Sequence, residues 1–325
     1  VIVSETEFER CLDAVRAVPA ASGGGIFGPD SATWQVNREA AIFLGAGRAL
    51  LLQLAHPWVA AGISDQSNVF ADPLGRFHRT FNIVFTMAFG TRDQAIAVAQ
   101  RLYRRHAAVA GEMPETAGPF VQGSHYCANE VNALRWVHAT LVETAIMAHD
   151  LVLPPLHDAE RERYWTEEKL LASLFGIPQG TLPPDWCAFQ AYAAGMVESD
   201  VLTVTLAARD IAHRIFSGRA TSFAIPFWYR ALTAQILPER LRVAFDLPFG
   251  AAEQRSAERA VRWLRRIYPA LPDRLRTVGP YQEAQARING EPVPPLATRL
   301  LNRAWIGQPV MTPASGRSRH RSAPN

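Results

Sequence analysis

DPLGRFHRTFNIVFTMAFG (residues 72–90), followed at once by TRDQAIAVAQRLYRRHAAVAG (residues 91–111), decides how this chain is read. Asp72 before Pro73 is a helix start: a carboxylate cap, then proline in the first turn, where its missing N–H costs nothing. Gly90 follows the last periodic residue and marks a stop. Between them Arg76, Thr80, Val84 and Met87 recur at steps of four and three, so they share one face. Thr91-x-x-Gln94 has the spacing of a capping box, so a second helix follows directly, ended by Gly111 and Pro114. On that helix Ala95, Ala99, Leu102, Tyr103, His106, Val109 and Ala110 form the apolar face. Gln94, Arg101, Arg104 and Arg105 lie mostly on the other side.

Two side chains sit oddly in this pattern. His106 points inward, and an inward imidazole is either a core group bonded to a carbonyl or a metal ligand. Arg76 lies on an apolar face, where a guanidinium needs an anionic partner. Asp72, four residues earlier, offers one as a salt bridge.

Outward from this pair, residues 4–18 predict a short surface helix, and Ala20 to Asp30 a flexible loop. A helix apolar nearly all round is expected from about Asn37 to Ala55, stopped by Pro57, and should be central. Gly45 and Gly47 inside it mark close approach by another helix or by a ligand. The polar run Gly62 to Asn68 is either a pocket mouth or a turn. Tyr126-Cys127-Ala128-Asn129 caps a helix expected from about Glu130 to Leu153, which carries Arg135-Trp136-Val137-His138-Ala139-Thr140. His138 either makes a core hydrogen bond or joins a cofactor pocket. Further helices are expected near 158–175, 185–200, 201–216, 228–236, 251–267 and 280–288. Arg209-x-x-x-His213 reads as capping a helix end rather than binding metal. No alternating strand hairpin and no internal repeat stand out. The fold class is all-α.

With 48% hydrophobic residues, 325 residues can bury a large core. A net charge of +3 is too small to argue for nucleic acid. Arg317, Arg319, His320 and Arg321, among Ser, Pro and Gly, read as a disordered tail. Lys169 is the only lysine, a codon bias that suggests a GC-rich bacterial genome. Cys11, Cys127 and Cys187 are far apart and form no C-x-x-C, so no disulfide framework is expected and a reducing cytoplasm fits. VIVSETEFERCLDAV does not read as a signal peptide. The longest apolar stretch, Ala40 to Ile63, contains Arg48, Gln53 and His56, so a buried core is expected rather than a membrane span.

Gly-rich phosphate loops, G-x-S-x-G, H-E-x-x-H and EF-hand patterns are absent, and so is the Glu-x-x-His pair of ferritin-like diiron proteins. A haem site asks for less: one axial histidine, an apolar slot and a few polar groups facing the iron.

The order and spacing of several short pieces are more telling. These are Leu54-Ala55-His56-Pro57, Ser64-x-x-Ser67, Asp72-Pro73-x-x-Arg76-x-x-x-Thr80, His106-x-x-Val109-x-Gly111, Tyr126-x-Ala128-Asn129 and Trp136-Val137-His138-Ala139-Thr140. From Arg38 to about Phe216 the pattern resembles the family that joins fungal membrane-bound oxygenases of mycophenolic acid biosynthesis to latex clearing protein, the bacterial rubber oxygenase. The resemblance implies a globin-like helical core with additional N- and C-terminal helices, holding haem b. The chain is expected to divide into a segment 1–30, a helical domain 31–290 with the haem-binding core at about 37–216, and a partly disordered tail 291–325. His106 matches the proximal iron ligand, and Arg76 with Thr80 the distal polar pair. His138 and His56 are the further catalytic candidates.

Two departures from the family follow. Arg79 stands where the rubber enzyme has a lysine able to cap the iron, and a guanidinium does not ligate. No glutamate lies between Ala40 and Gly75 to match the distal base, which leaves His56 or Asp65 as substitutes. The expected activity is a cytoplasmic haem-dependent oxygenase using O₂ or peroxide on a small apolar organic substrate. The alternatives are a haem-binding sensor or carrier without turnover, and a helical protein with no cofactor.

Overall fold

The computed structural model describes residues 1–65, 72–217, 225–291 and 293–314. Ser67, the polar run beyond Asp65, and the basic tail with Arg317, Arg319, His320 and Arg321 lie outside the described residues. Among the described residues the fold is all-α apart from one small hairpin.

Helix α1 (Glu5–Ala17) starts at a reciprocal cap, the Ser4 hydroxyl accepting from Glu7 N–H and the Glu7 carboxylate from Ser4 N–H. It buries Phe8, Cys11, Leu12 and Val15, so it is set into the body rather than lying on the surface as expected. The single helix read at 37–55 is broken. Helix α2 (Ala32–Asn37), a 3-10 turn at Ala40–Gly45, α3 (Ala46–Leu54) and α4 (Pro57–Asp65) take its place. The break at Glu39 has a distant cause. The buried Glu39 carboxylate meets Arg276 at 3.1 Å and accepts from Tyr268 at 3.0 Å, while Val278 N–H donates to Arg38 O at 2.8 Å. Held against residues 277–278, the backbone is extended there, with ψ 124° at Glu39. Pro57 does end one helix, yet it also opens the next, turned through 98°.

Helix α5 (Pro73–Phe89) and α6 (Arg92–Ala107) form an antiparallel pair about Gly90-Thr91. Both starts are capped as read: Asp72 Oδ1 accepts from Gly75 N–H at 2.8 Å, and the Thr91/Gln94 box is complete. Helix α6 stops at Ala107, before the expected Gly111. Strand β1 (Ala110–Glu112) then pairs antiparallel with β2 (His125–Cys127). Three-residue strands are too short to show alternation, which is why the hairpin was not legible.

The long α7 (Val131–Val152) is central, with Trp136, Ala139, Val142 and Ala148 buried. Its cap is Glu130, which accepts from Ala133 N–H at 2.8 Å, and not Asn129. Helices α8 (Asp158–Leu174), α9 (Trp186–Glu198), α10 (Leu206–Phe216) and α11 (Phe227–Ile236) follow, close to their expected bounds. The chain continues through α12 (Glu239–Ala244), α13 (Ala251–Ile267), α14 (Asp273–Arg276), α15 (Gly279–Ile288) and α16 (Leu296–Ile306). Of these α12, α14 and α16 were not read. Helix α16 lies in the stretch taken for tail, and its Trp305 stacks on Phe43 with ring centres 4.2 Å apart. Arg209 and His213 do cap a helix end, though a neighbour's: they bond Ala244 O at 3.1 Å and Phe245 O at 3.0 Å, at the end of α12.

The glycines of α3 and the turn before it serve helix packing. A Cβ on Gly45 would lie 2.3 Å from Thr144 Cγ2 on α7, and one on Gly47 2.6 Å from Thr233 Oγ1 on α11. Among the described residues no single helix is long and apolar enough to cross a membrane. Only the bent stretch from Ala40 through α4 passes by length and composition, and it is broken by that 98° turn.

Candidate functional site

The α5–α6 hairpin is tight at its turn and loosens away from it. On α5 every residue from Phe85 to Phe89 is buried, whereas 74–84 are half-buried or exposed. On α6 Ala95, Val98 and Ala99 are buried, whereas 100–107 are not. Arg76 lies fourteen residues before Gly90, and His106 fifteen after Thr91. At 1.5 Å per residue both stand roughly 21–23 Å from the turn, at the same height on facing arms. Thr80, one turn nearer the hairpin's closed end, is exposed.

Among the described residues neither His106 nor Arg76 meets a protein partner. The His106 ring is half-buried and makes no hydrogen bond among the described residues. Burial, and then the neighbouring Arg105, push its pKa down to about 4 from 6.5. It is therefore neutral at pH 7, with a free lone pair. Arg76 is half-buried, and no carboxylate or hydrogen-bond acceptor meets it among the described residues. The charges facing it are like charges: burial, Arg105 and Arg79 together pull its pKa below the ordinary value. The salt bridge from Asp72 goes instead to Arg79, at 3.0 Å. Arg79 stands where the resemblance places a lysine, and it is occupied there. A desolvated cation is costly without a counter-charge, and none meets Arg76 among the described residues.

The last turn of α6 is braced from three sides. Asn129 Nδ2 donates to Tyr103 O at 3.1 Å, Tyr103 Oη donates to Val3 O at 3.1 Å, and the Tyr103 ring stacks on Phe8 at 4.3 Å. Asn129, expected from its position to cap the next helix, braces α6 instead, a role with no local signal because its partner lies 26 residues away. Beyond α6, Tyr126 of β2 donates its hydroxyl to Asp65 at the end of α4. Burial and Asp65 together push the Tyr126 pKa up. Gly111 lets the phenol pass, since a Cβ there would lie 2.7 Å from Tyr126 Oη. Three pieces of the sequence pattern thus form one joint, placed directly after His106 in the chain.

The other two candidates lie in surroundings of their own. His138 is 2% exposed and faces α8: its Nε2 is 3.5 Å from Glu168 Oε2, with Trp165 and Phe175 against the ring. Neither ring nitrogen makes a hydrogen bond. Glu168, which the sequence reading did not single out, is also near Thr33 Oγ1 and Asn37 Nδ2, each at 3.4 Å. His56, at the α3–α4 corner, is 2% exposed and packs on Phe120. Burial pushes its pKa down to about 4, against a smaller upward pull from Glu130. The structure brings His106 and Arg76 to one end of one hairpin, and it records no contact of His138 or His56 with either. Among the described residues no three His, Cys, Asp or Glu side chains gather to hold a bare metal ion.

Residues 33–266 match the family described as ER-bound oxygenase mpaB/B'/Rubber oxygenase, catalytic domain. Two relatives are uncharacterized proteins, one from Mycobacterium bovis and one from Mycobacterium tuberculosis. Each is 27% identical over 241 residues, covering 70% of this chain and 86% of the relative. No solved structure matches.

Proposed function

This chain belongs to the mpaB/rubber oxygenase catalytic-domain family, and from that premise we propose that it is a haem b-dependent oxygenase acting on a small apolar molecule, with O₂ or peroxide as oxidant. The carrying observation is the pair of desolvated side chains His106 and Arg76, without a partner among the described residues and at one height on facing arms. A neutral imidazole with no internal hydrogen bond is the donor that haem iron asks for. A guanidinium without a counter-ion suits an anionic propionate. A porphyrin needs only that one protein ligand, so the lack of a three-ligand cluster among the described residues is compatible with it.

When bound, the haem supplies oxidant activation, and the protein supplies position and charge. His106 holds the group through one ring nitrogen, and the bracing of Tyr103 by Asn129 keeps that imidazole in place. Arg76 contributes a fixed positive charge, toward a propionate or toward negative charge that develops during the reaction. The Thr80 hydroxyl, exposed beside it, offers a hydrogen bond. Val84, half-buried on the face of α5 that carries Arg76 and Thr80, offers apolar surface to the substrate. His138, beside Glu168, and His56, against Phe120, act from outside this group as buried polar members of the surrounding helices. The three free cysteines suit a reducing cytoplasm as the place of reaction.

Titrating the purified protein with haem tests this. We expect a Soret band with histidine ligation that His106→Ala abolishes or shifts, and roughly tenfold weaker haem binding in Arg76→Ala, about the worth of one charge-assisted contact. No Soret band after haem is supplied leaves a helical protein without the cofactor. A stable oxygen complex with no product from olefins or phenols marks a carrier or sensor instead.

A further inference from the structure

Helix α13 has two sharply unlike faces. Ala257, Val261 and Leu264 turn inward, toward α11 and α7. Arg255, Arg259, Arg262 and Arg266, at steps of four, three and four, form a stripe on the outside. Alongside that stripe, one turn apart, stand Trp263, 60% exposed, and Ile267, 46% exposed. Arg262 reaches Glu258 only at 3.9 Å. Arg255, Arg259 and Arg266 have no ion-pair partner among the described residues. Arg265 leaves this face to donate to Leu151 O at 2.7 Å. Exposed tryptophan and isoleucine are costly to leave in water, and the row of guanidiniums beside them, three without an ion-pair partner among the described residues, selects what can cover them.

We propose that this outer face of α13 docks on an anionic lipid bilayer. The guanidiniums meet phosphate headgroups, where bidentate contacts suit them. The indole sits at the headgroup level, and Ile267 enters the boundary with the acyl chains. A second copy of the same face would bring arginine against arginine. A nucleic acid would satisfy the arginines but leave Ile267 with no apolar partner. The helix lies on the surface and spans nothing. Where the substrate is apolar it concentrates in lipid, so docking would place the protein at its supply. That consequence rests on the proposed oxygenase function, whereas the docking does not.

Co-sedimentation of the full chain with vesicles tests the proposal independently of haem. We expect binding to phosphatidylcholine vesicles containing phosphatidylglycerol, none to phosphatidylcholine alone, and weakening as salt rises. Arg259→Gln with Arg266→Gln should lose roughly tenfold or more in affinity, given the worth of each basic residue at such a surface. Trp263→Ser with Ile267→Ser should also weaken binding at unchanged charge. All four side chains are exposed, so circular dichroism and the melting temperature of both variants should match the parent. The proposal is overturned by absence of binding to phosphatidylglycerol vesicles, or by binding that either double variant leaves unchanged. Self-association abolished by Trp263→Ser and Ile267→Ser would overturn it in favour of a second copy as the occupant.

Discussion

At the scale of single residues, this chain keeps two histidines neutral by burial, and that has a consequence for stability. His56 has a folded pKa of about 4 against an ordinary 6.5. Between those values the unfolded chain takes up a proton that the folded protein refuses. Stability is therefore complete above about pH 6.5 and is lost as pH falls toward 4, by up to roughly 3 kcal/mol for one such group. His106, held to about 4 as well, adds a loss of the same sign. In His56→Gln the urea midpoint should fall less steeply between pH 6.5 and 4 than in the parent; equal slopes would reject the assignment. Arg76 presents the opposite case, a charge that meets no partner among the described residues. Its oddness on an apolar face was visible in the sequence. The partner expected for it, Asp72, is taken by Arg79 and by the Gly75 amide.

At the scale of the element, the α5–α6 hairpin was the most legible part of the chain. Caps act over three or four residues, and a strong cap needs nothing from the rest of the fold. Replacing Asp72 by Ala removes the bond to Gly75 N–H and should cost about 1 kcal/mol. The exposed ion pair with Arg79 adds little to that. Hydrogen exchange should show the loss as faster exchange confined to the first turn of α5. Helix α3 and its preceding turn taught a different lesson. Their glycines were read as close approach, but only the fold says by what: Thr144 on α7 and Thr233 on α11. Gly45→Ala places a methyl 2.3 Å from Thr144 Cγ2 and should destabilise the protein by about 1–3 kcal/mol in urea unfolding. A neutral outcome would mean that α7 can yield there.

At the scale of the whole molecule, Arg48 ties three helices together. From α3 it donates to Ile236 O at 2.9 Å, Thr144 Oγ1 at 2.9 Å and Glu143 Oε1 at 3.0 Å, while itself 5% exposed. Arg48→Leu strands those acceptors and should cost roughly 3 kcal/mol in chemical unfolding. In the sequence Arg48 served only to argue against a membrane span, because none of its partners lies within ninety residues along the chain. The C-terminal stretch is similar. Helix α16 sets Trp305 on Phe43, and Thr312 receives bonds from Asn82 and Gln94, so the stretch straps the closed end of the hairpin. Its sequence shows only short runs between prolines, with little local signal of that docking.

The sequence by itself determined the helical class, the two capped arms and the ordered motifs that carry the family. All of these are local: caps, periodicity and spacing act within a few turns. The tertiary structure decided where the central helix breaks, that His138 faces Glu168 across two helices, and that nothing among the described residues answers the charge on Arg76. Those depend on which distant groups arrive and which do not. A missing partner has no local sign at all, because it is a property of everything packed around the residue.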